Sequence, residues 1–187
     1  MLRPDYPLRT GRLLLRPLDP VGDVDAVHAY RSLPDVCRYV PFEPGPREEL
    51  AARLAGARST LDAAGQALWL AAVLAETGEL VGDVMLFWHD AIHRSGEVGY
   101  VLHPSHEGNG YATEACRALL DLAFGDLGLH RVTGRIDARN HASAAVLRRL
   151  GMRQEAHLRQ NEWFKGGWSD EIDFAILEDE WRALRER

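Results

Sequence analysis

The sequence predicts an α/β (α+β) protein in which a mixed, mostly antiparallel sheet is flanked by helices. Three apolar runs in the middle of the chain are joined by turn-like segments, which is typical of antiparallel strands. After them, strand-like and helix-like patterns alternate, and a strand that returns through a crossover helix normally lies parallel to the strand before it. The length of 187 residues, 46% of them hydrophobic, suits a single domain that spans residues 1–187.

The first half of the chain supplies the antiparallel part of the sheet. Residues 10–18 predict an opening strand, and residues 22–33 predict a helix with Asp23 as its N-cap. Residues 47–64 are rich in Ala, Leu, Arg and Glu, which favours a second helix. Two apolar runs, 67–74 and 79–89, flank the turn AETG and predict a hairpin. A further strand over 95–103 ends at Pro104.

The second half alternates between strands and helices. A helix over 110–125 has one broad apolar face, and a strand follows over 129–137. A short helix over 143–151 ends at Gly151, which suits a left-handed cap. Residues 157–177 predict two strands around a Gly166-Gly167 turn, and residues 178–187 predict a closing helix.

Composition argues against several classes of function. The net charge is −6 and no long basic run occurs, so nucleic acid is not an expected partner. No apolar run is long enough to cross a bilayer and no signal peptide is recognisable, so we expect a cytoplasmic protein without a membrane partner. Cys37 and Cys116 are expected to be free, packed thiols. Four histidines match no metal-ligand spacing, so no metal site is expected; they are His89, His93, His103 and His106.

Gly108 and Gly110 stand at the start of a predicted helix, although glycine is a poor helix former. The first amide groups of a helix are unpaired and together carry about half a unit of positive charge. Glycine at this position lets an anion approach those amides. The segment EGNGYA therefore has two interpretations: a phosphate or pyrophosphate site, or a turn that is rich in glycine for local reasons.

Two well-known phosphate loops match this segment poorly. The nucleoside triphosphate loop ends in Gly-Lys-Ser/Thr, whereas Gly110 is followed by Tyr111 and Ala112. A dinucleotide fingerprint fits the first two glycines, but Thr113 holds the position of the third and Asp137 lies too far along the chain. A dinucleotide-binding enzyme therefore remains a disfavoured alternative.

Two segments together carry a resemblance to a known family. GYVLHPSHEGNGYATEA (99–115), followed by NHASAAVLRRLGM (140–152), resembles the GCN5-related N-acetyltransferase (GNAT) superfamily, and within it the ribosomal-protein N-terminal acetyltransferases. GRLLLRPL near the N-terminus and GGWSDEIDFAIL near the C-terminus extend the likeness over nearly the whole chain. One residue departs from the pattern. Glu107 stands where the superfamily usually has Gln or Arg, and we expect its side chain to point away from the ligand.

The resemblance implies acetyl-coenzyme A (acetyl-CoA) as cosubstrate, held where two parallel strands splay apart. Its pyrophosphate would lie on the glycine loop and its pantetheine arm along the preceding strand. Asn140 and Ser143 would approach the thioester end, and Arg148 the far end. The resemblance also implies a homodimer. The remaining cofactor-binding residues that it implies are Tyr100, Val101, Leu102, Gly108, Asn109, Gly110, Tyr111, Ala112 and Thr113.

Glu97, Glu162 and Ser143 are the candidate catalytic residues. Glu97 shares a predicted strand face with Gly99 and Val101, and its structural alternative is a rim ion pair. Glu162, in QNEW, matches a segment that carries an active-site glutamate in the resembled branch; its alternative is an ordinary strand-face charge. Ser143 is the candidate proton donor to the leaving thiolate, and its alternative is a hydrogen bond at the helix start.

The predicted function is acetyl transfer from acetyl-CoA to a primary amine by direct attack on the thioester. The acceptor is expected to be a protein N-terminal α-amine or a small-molecule amine. An α-amine titrates near 8, so a weak base suffices at pH 7, whereas neutralising a lysine amine costs about 4–5 kcal/mol. The alternative is a non-catalytic acyl-CoA sensor, which would need the glycine loop but none of the three candidate catalytic residues.

Overall fold

An eight-stranded sheet organises the computed structural model, which describes residues 1–186. The strands lie in the order β1-β2-β3-β4-β5-β6-β8-β7, numbered along the chain. Neighbours are antiparallel except β5 and β6, which are parallel, so the predicted mixed and mostly antiparallel sheet is confirmed. The strands are β1 (Leu8–Arg9), β2 (Leu13–Pro17), β3 (Ala67–Leu74), β4 (Leu80–Asp90), β5 (Ser95–Leu102), β6 (Arg131–Asp137), β7 (Arg153–Phe164) and β8 (Gly167–Leu177).

Helices pack on both faces of the sheet through two hydrophobic clusters. The larger cluster includes Leu119 of α4 and Leu147 of α5, and the smaller one includes Val27 of α1 and Leu54 of α3. α4 continues through a π-helical turn at Leu122–Asp126. The helices are α1 (Val24–Arg31), α2 (Pro34–Cys37), α3 (Arg47–Ala55), α4 (Tyr111–Asp121), α5 (His141–Arg149) and α6 (Glu178–Arg185).

Side chains of β5 alternate between the two clusters, as predicted from the period of two residues. Val98 and Tyr100 pack in the larger cluster, and Val101 packs in the smaller one. Glu97 and Gly99 therefore lie on the face of the sheet that α1 and α3 cover. This placement sets the direction in which Glu97 points.

The predicted helix over 47–64 is wrong in its second half, because α3 ends at Ala55 with Gly56 as the C-cap. The segment after Gly56 satisfies its backbone by pairing with other parts of the chain. The amide and carbonyl of Leu61 bond to those of Leu2, and the amide of Trp69 donates to the Arg58 carbonyl at 2.9 Å. A distant partner, invisible to local propensity, outweighs the helix preference here.

Several local features also differ from the prediction. β1 and α2 were not predicted, because two and four residues are too few to show a period. Asp23 occupies the N-cap of α1, but its carboxylate binds Arg16 and the Asp19 amide instead of the first-turn amides. The last hairpin turns at Lys165 and Gly166, which both have positive φ, rather than at the two glycines.

Three smaller expectations can be compared directly with the structure. Gly151 has φ +85° after α5, which confirms the left-handed cap. Cys37 and Cys116 are both free and buried, as expected. Among residues 1–186, no helix combines the length and the hydropathy needed to cross a membrane.

Candidate functional site

The parallel strands β5 and β6 part soon after they meet. Their pairing runs only from Ser95 opposite Arg131 to Glu97 opposite Thr133. β5 remains paired with β4 as far as Leu102, and β6 remains paired with β8 as far as Asp137, so a gap opens between them. The predicted splay is therefore present. The backbone edge of β5 from residue 98 to 102 borders this gap and keeps its amides and carbonyls free of a strand on that side.

The glycine loop lies between β5 and α4, at the end of this gap. Gly108 has φ +77° and Gly110, the N-cap of α4, has φ +81°, a conformation that other residues rarely adopt. Among residues 1–186, a Cβ atom on Gly108 would meet no atom within 4 Å, and one on Gly110 would meet only the Arg12 guanidinium, at 3.6 Å. Backbone geometry alone therefore explains the glycines, and the space in front of them is open as well.

Arg12 and Glu114 hold this loop in place, and no pattern in the sequence indicates their pairing. The Arg12 guanidinium binds the Glu114 carboxylate at 2.7 Å and the Asn109 carbonyl at 3.0 Å, and it lies 4.7 Å from the centre of the Tyr111 ring. Glu114 also accepts hydrogen bonds from the Thr10 hydroxyl and the Arg12 amide, both at 2.6 Å. The turn between β1 and β2 thus fixes the start of α4, and it adds a cation beside the loop.

Other predicted cofactor residues have identifiable structural partners. The Asn140 side chain caps α5 by accepting a hydrogen bond from the Ser143 amide at 3.0 Å. The Tyr100 hydroxyl donates to the Ser143 carbonyl at 3.1 Å, which joins β5 to α5. The Ser143 hydroxyl has no hydrogen-bond partner within residues 1–186. Arg148 lies with its guanidinium 5.3 Å from the centre of the Phe174 ring.

The first turn of α4 contains a buried polar atom without a partner. Ala112 is buried, and Thr113 is partly buried with its hydroxyl shielded from solvent. That hydroxyl makes no hydrogen bond to any described residue. A buried hydroxyl normally has a partner, because leaving it unpaired costs about 1–3 kcal/mol. An orphaned donor beside an open glycine loop suits a ligand that carries acceptor oxygens.

Glu97 and Glu162 line one pocket on the face of the sheet that α1 and α3 cover. This pocket, named the acceptor pocket after the role that we propose for it, has a volume of about 190 Å³. β5 supplies Glu97, β6 supplies Arg135, β7 supplies Glu162, and β8 supplies Glu171. The structure therefore brings together two glutamates that are 65 positions apart in the sequence, and it adds a third, Glu171, that the sequence analysis missed. The alternation in DEIDF, which places Glu171 and Asp173 on one strand face, was the available signal.

Charge in the acceptor pocket is mostly negative. Glu97 accepts hydrogen bonds from Arg135 Nε at 2.9 Å and from His89 Nε2 at 3.2 Å. Burial raises the pKa of Glu171. Hydrogen bonds from Arg139 and Ser169 hold the pKa of Asp137 down at about 2, despite its burial. Carboxylates from β5, β6, β7 and β8 line the pocket, which favours a cationic group there.

The loop between α2 and α3 forms one wall of the acceptor pocket through Tyr39 and Pro41. The tip of the β7–β8 hairpin holds this loop from the other side. Lys165 Nζ donates to the Phe42 carbonyl at 2.7 Å and lies 3.1 Å from the Glu43 carboxylate. The pocket wall thus depends on a contact between segments more than 100 residues apart.

The histidines near β5 make ordinary polar contacts. His89 bonds to Glu97, His106 bonds to Glu79 at 3.0 Å, and the ring of His103 accepts a hydrogen bond from the Ser105 amide. In the part of the chain that the structure describes, no cluster of three or more His, Cys, Asp or Glu side chains has the arrangement of a metal site.

Comparison with known proteins identifies the family. The family model of the acetyltransferase (GNAT) domain matches residues 12–153. YnaD of Bacillus subtilis (strain 168), described as an uncharacterized N-acetyltransferase, is 30% identical over 179 residues, which cover 93% of this chain and 98% of YnaD.

Solved structures share the fold. A GNAT-family acetyltransferase from Bacillus anthracis has a TM-score of 0.83 at 28% identity, over 92% of this chain and 98% of its own. RimL, a ribosomal L7/L12 alpha-N-protein acetyltransferase solved in complex with coenzyme A, has a TM-score of 0.79 at 22% identity, over 94% of this chain and 99% of its own. The fold and these matches define an N-acetyltransferase. The chain belongs to the GNAT acetyltransferase family, whose general activity is acetyl transfer from acetyl-CoA.

Proposed function

We propose that this protein acetylates a primary amine bound in the acceptor pocket, with acetyl-CoA as the donor. The observation that carries the proposal is the position of the pocket, because it opens on the sheet face to which Glu97 points, where β5 and β6 part. A ligand lying in the gap along β5 would end beside that pocket. When bound, acetyl-CoA supplies the activated acetyl thioester. Residues of the chain would bind and orient the two substrates and transfer the protons.

The gap beside β5 and the glycine loop indicate which residues would bind the cofactor. The free edge of β5 at Tyr100, Val101 and Leu102 would pair with the amide groups of the pantetheine arm. The amides at the start of α4, the Thr113 hydroxyl and the Arg12 guanidinium would receive the pyrophosphate; the loop residues involved are Gly108, Asn109, Gly110, Tyr111, Ala112 and Thr113. Glu107 is exposed at the same loop. Asn140 and Arg148 keep the assignments that the family resemblance implies, to the thioester end and the far end of the ligand respectively.

The acceptor amine would enter the pocket as a cation. Glu97 and Glu162 would hold it there, and Ser143, with a free hydroxyl on α5, would donate a proton to the leaving thiolate. We propose an α-amine of a polypeptide or a small amine as acceptor, because the pocket is small and an amine with a pKa near 8 needs only a weak base. The fold, which this chain shares with RimL, fixes neither of the two. A homodimer and a cytoplasmic location remain predictions from the sequence.

An acceptor screen tests the function. The purified protein is incubated with acetyl-CoA and a panel of free-amine peptides, amino acids and polyamines, and thiol release is measured. We expect release with at least one free amine and none with the same peptide after N-acetylation. If calorimetry shows CoA binding but no amine in the panel yields thiol, the acyl-CoA sensor is the better description.

Thr113 provides a test of the cofactor placement that is independent of turnover. Thr113→Val removes an unpaired buried hydroxyl, so we expect the free energy of unfolding to rise by about 1 kcal/mol. The same change should weaken CoA binding several-fold in calorimetry, because the ligand loses a donor. Thr133→Val is the matched control, since the Thr133 hydroxyl already donates to the Gly96 carbonyl and its loss should destabilise. A destabilised Thr113→Val protein with full CoA affinity would contradict the placement.

A further inference from the structure

The three glutamates of the acceptor pocket differ in the hydrogen bonds that their carboxylates already accept from neighbouring residues. Glu97 is engaged by two donors, Arg135 and His89, and its side chain is 18% exposed. These two hydrogen bonds hold the Glu97 carboxylate in a fixed orientation. A carboxylate that already accepts hydrogen bonds from Arg135 and His89 is suited to orienting an ammonium group.

Glu162 lies on β7, the last strand of the sheet, and its side chain is exposed to solvent. A bulge in β7 sets its position. Leu158 pairs with Glu171 and Glu162 pairs with Ser169, so β7 advances four residues where β8 advances two. Bulges of this kind redirect side chains and occur beside active sites. Glu162 is therefore well placed to attract a cation at the mouth of the pocket.

Glu171 differs from both. It is partly buried, and among residues 1–186 only one donor contacts its carboxylate, the Asn161 side chain of the β7 bulge, at 3.2 Å on Oε1. It lies opposite Asp137 in the ladder between β6 and β8, at the end of β6 next to the gap. Its second oxygen keeps its lone pairs available to a group in the pocket.

The surroundings of Glu171 disfavour its negative charge. Burial is the main reason that its pKa is raised; the neighbouring carboxylates add to the effect, and Arg135 opposes it. A general base works best when its pKa lies near the working pH. The charged and titratable groups around it are Glu97 on β5, Arg135 and Asp137 on β6, Glu162 on β7, Asp170 and Asp173 on β8, and Tyr39 on the loop before α3.

We propose that Glu171 is the general base of the reaction; this rests on the proposed function. Its carboxylate takes one proton from the ammonium form of the acceptor. The neutral amine forms the C–N bond with the acetyl carbon, the C–S bond breaks, and the thiolate keeps the electron pair. The acetylated nitrogen gives up a second proton, which the thiolate gains through Ser143, and Glu171 returns its own proton to solvent. Glu97 and Glu162 orient the cation.

Glu171→Gln tests the assignment with the acceptor that gives the highest rate in the screen. At pH 7 we expect kcat/KM to fall about 100-fold or more, within the range that a general base contributes. In the wild-type protein we expect kcat/KM to rise as the pH increases through the pKa of Glu171. This rising limb of the pH profile should be absent from the variant. The affinity for CoA, measured by calorimetry, should not change. The unfolding midpoint should not fall, because glutamine keeps the shape of the Glu171 side chain and removes its disfavoured charge. Glu76→Gln, in the exposed turn between β3 and β4, is the control.

The outcomes separate this inference from the function on which it rests. An inactive wild-type protein that binds CoA overturns the proposed function and the assignment with it. An active wild-type protein whose Glu171→Gln variant stays within threefold overturns the assignment alone. If the same limb of the pH profile disappears in Glu97→Gln or Glu162→Gln while Glu171→Gln keeps it, the base is that other glutamate. Glu171→Asp, which keeps the carboxylate but shortens its reach, should retain the limb at a reduced rate.

Discussion

Replacing Asp83 with alanine is expected to lower the free energy of unfolding by about 3–5 kcal/mol. Asp83 lies in β4, is 2% exposed, and accepts hydrogen bonds from Tyr30, Arg31 and Trp69; Arg31 Nε donates at 2.9 Å and Trp69 Nε1 at 2.7 Å. The alanine variant leaves the Arg31 guanidinium, whose side chain is 10% exposed, without its counterion. Removing one partner of a buried pair is costly because the remaining charge stays out of water.

Urea unfolding followed by circular dichroism measures this effect. Asp35→Ala is the matched control, because the Asp35 side chain is 84% exposed in its ion pair with Arg38 and should contribute less than about 1 kcal/mol. Replacing both partners, as Asp83→Leu with Arg31→Met, should recover part of the loss, since no buried charge is left unpaired. Equal losses for Asp83→Ala and Asp35→Ala would show that the buried pair is not important for stability.

The Asp83 cluster also supports the acceptor pocket. Arg31 lies with its guanidinium 4.3 Å from the centre of the Phe42 ring, and Phe42 follows Pro41, which lines the pocket. Asp83→Ala protein that remains folded at low temperature should therefore show a higher KM for the acceptor, with CoA affinity retained. The Asp83 carboxylate thus links α1 to the shape of the pocket wall, because Arg31 of α1 contacts both Asp83 and Phe42.

Replacing Gly110 with valine is expected to abolish detectable CoA binding, a loss of at least about 100-fold in affinity. Two physical effects combine. A β-branched residue at φ +81° strains the backbone by about 1–3 kcal/mol, and its side chain occupies the space in front of the α4 amides. Calorimetry with CoA measures the affinity, and chemical unfolding measures the strain.

Gly65→Val separates the two effects. Gly65 has φ +86° and open space around its Cβ position, but it lies in the turn before β3, away from the loop. It should lose a similar amount of stability and bind CoA normally. Gly110→Val protein that binds CoA with wild-type affinity would contradict the placement of the pyrophosphate on this loop. A loss of affinity in both variants would indicate that general destabilisation, rather than the blocked amides, is the cause.

Much of the fold was predictable because it depends on local pattern. The strands β3 to β6 were placed within two residues at either end, since apolar runs and turn signals are both short-range. The alternation along β5 correctly put Glu97 and Val101 on one face. An aspartate inside the apolar run LVGDVMLF was also a readable sign of a buried polar cluster, although its partners were not readable.

Contacts between distant segments were not predictable. The end of α3 depends on Leu2, and the glycine loop depends on Arg12, which lies 102 positions before its partner Glu114. Neither pairing leaves a periodic trace in the sequence. Similarly, Asn161 reaches Glu171 only because of the β7 bulge, and the turn signals in the sequence say nothing about ladder register.

The sequence by itself determined the class of fold and the glycine loop, and it singled out Glu97, by its strand face, and Glu162, by its match to the resembled branch, as candidates. It did so because secondary structure and loop chemistry depend on neighbouring residues. Only the tertiary structure decided that Glu97, Glu162 and Glu171 share one pocket and that Arg135 and His89 engage the first of them. The proton affinity and orientation of a carboxylate depend on burial and on charges brought from elsewhere in the chain, and these exist only once the sheet has formed.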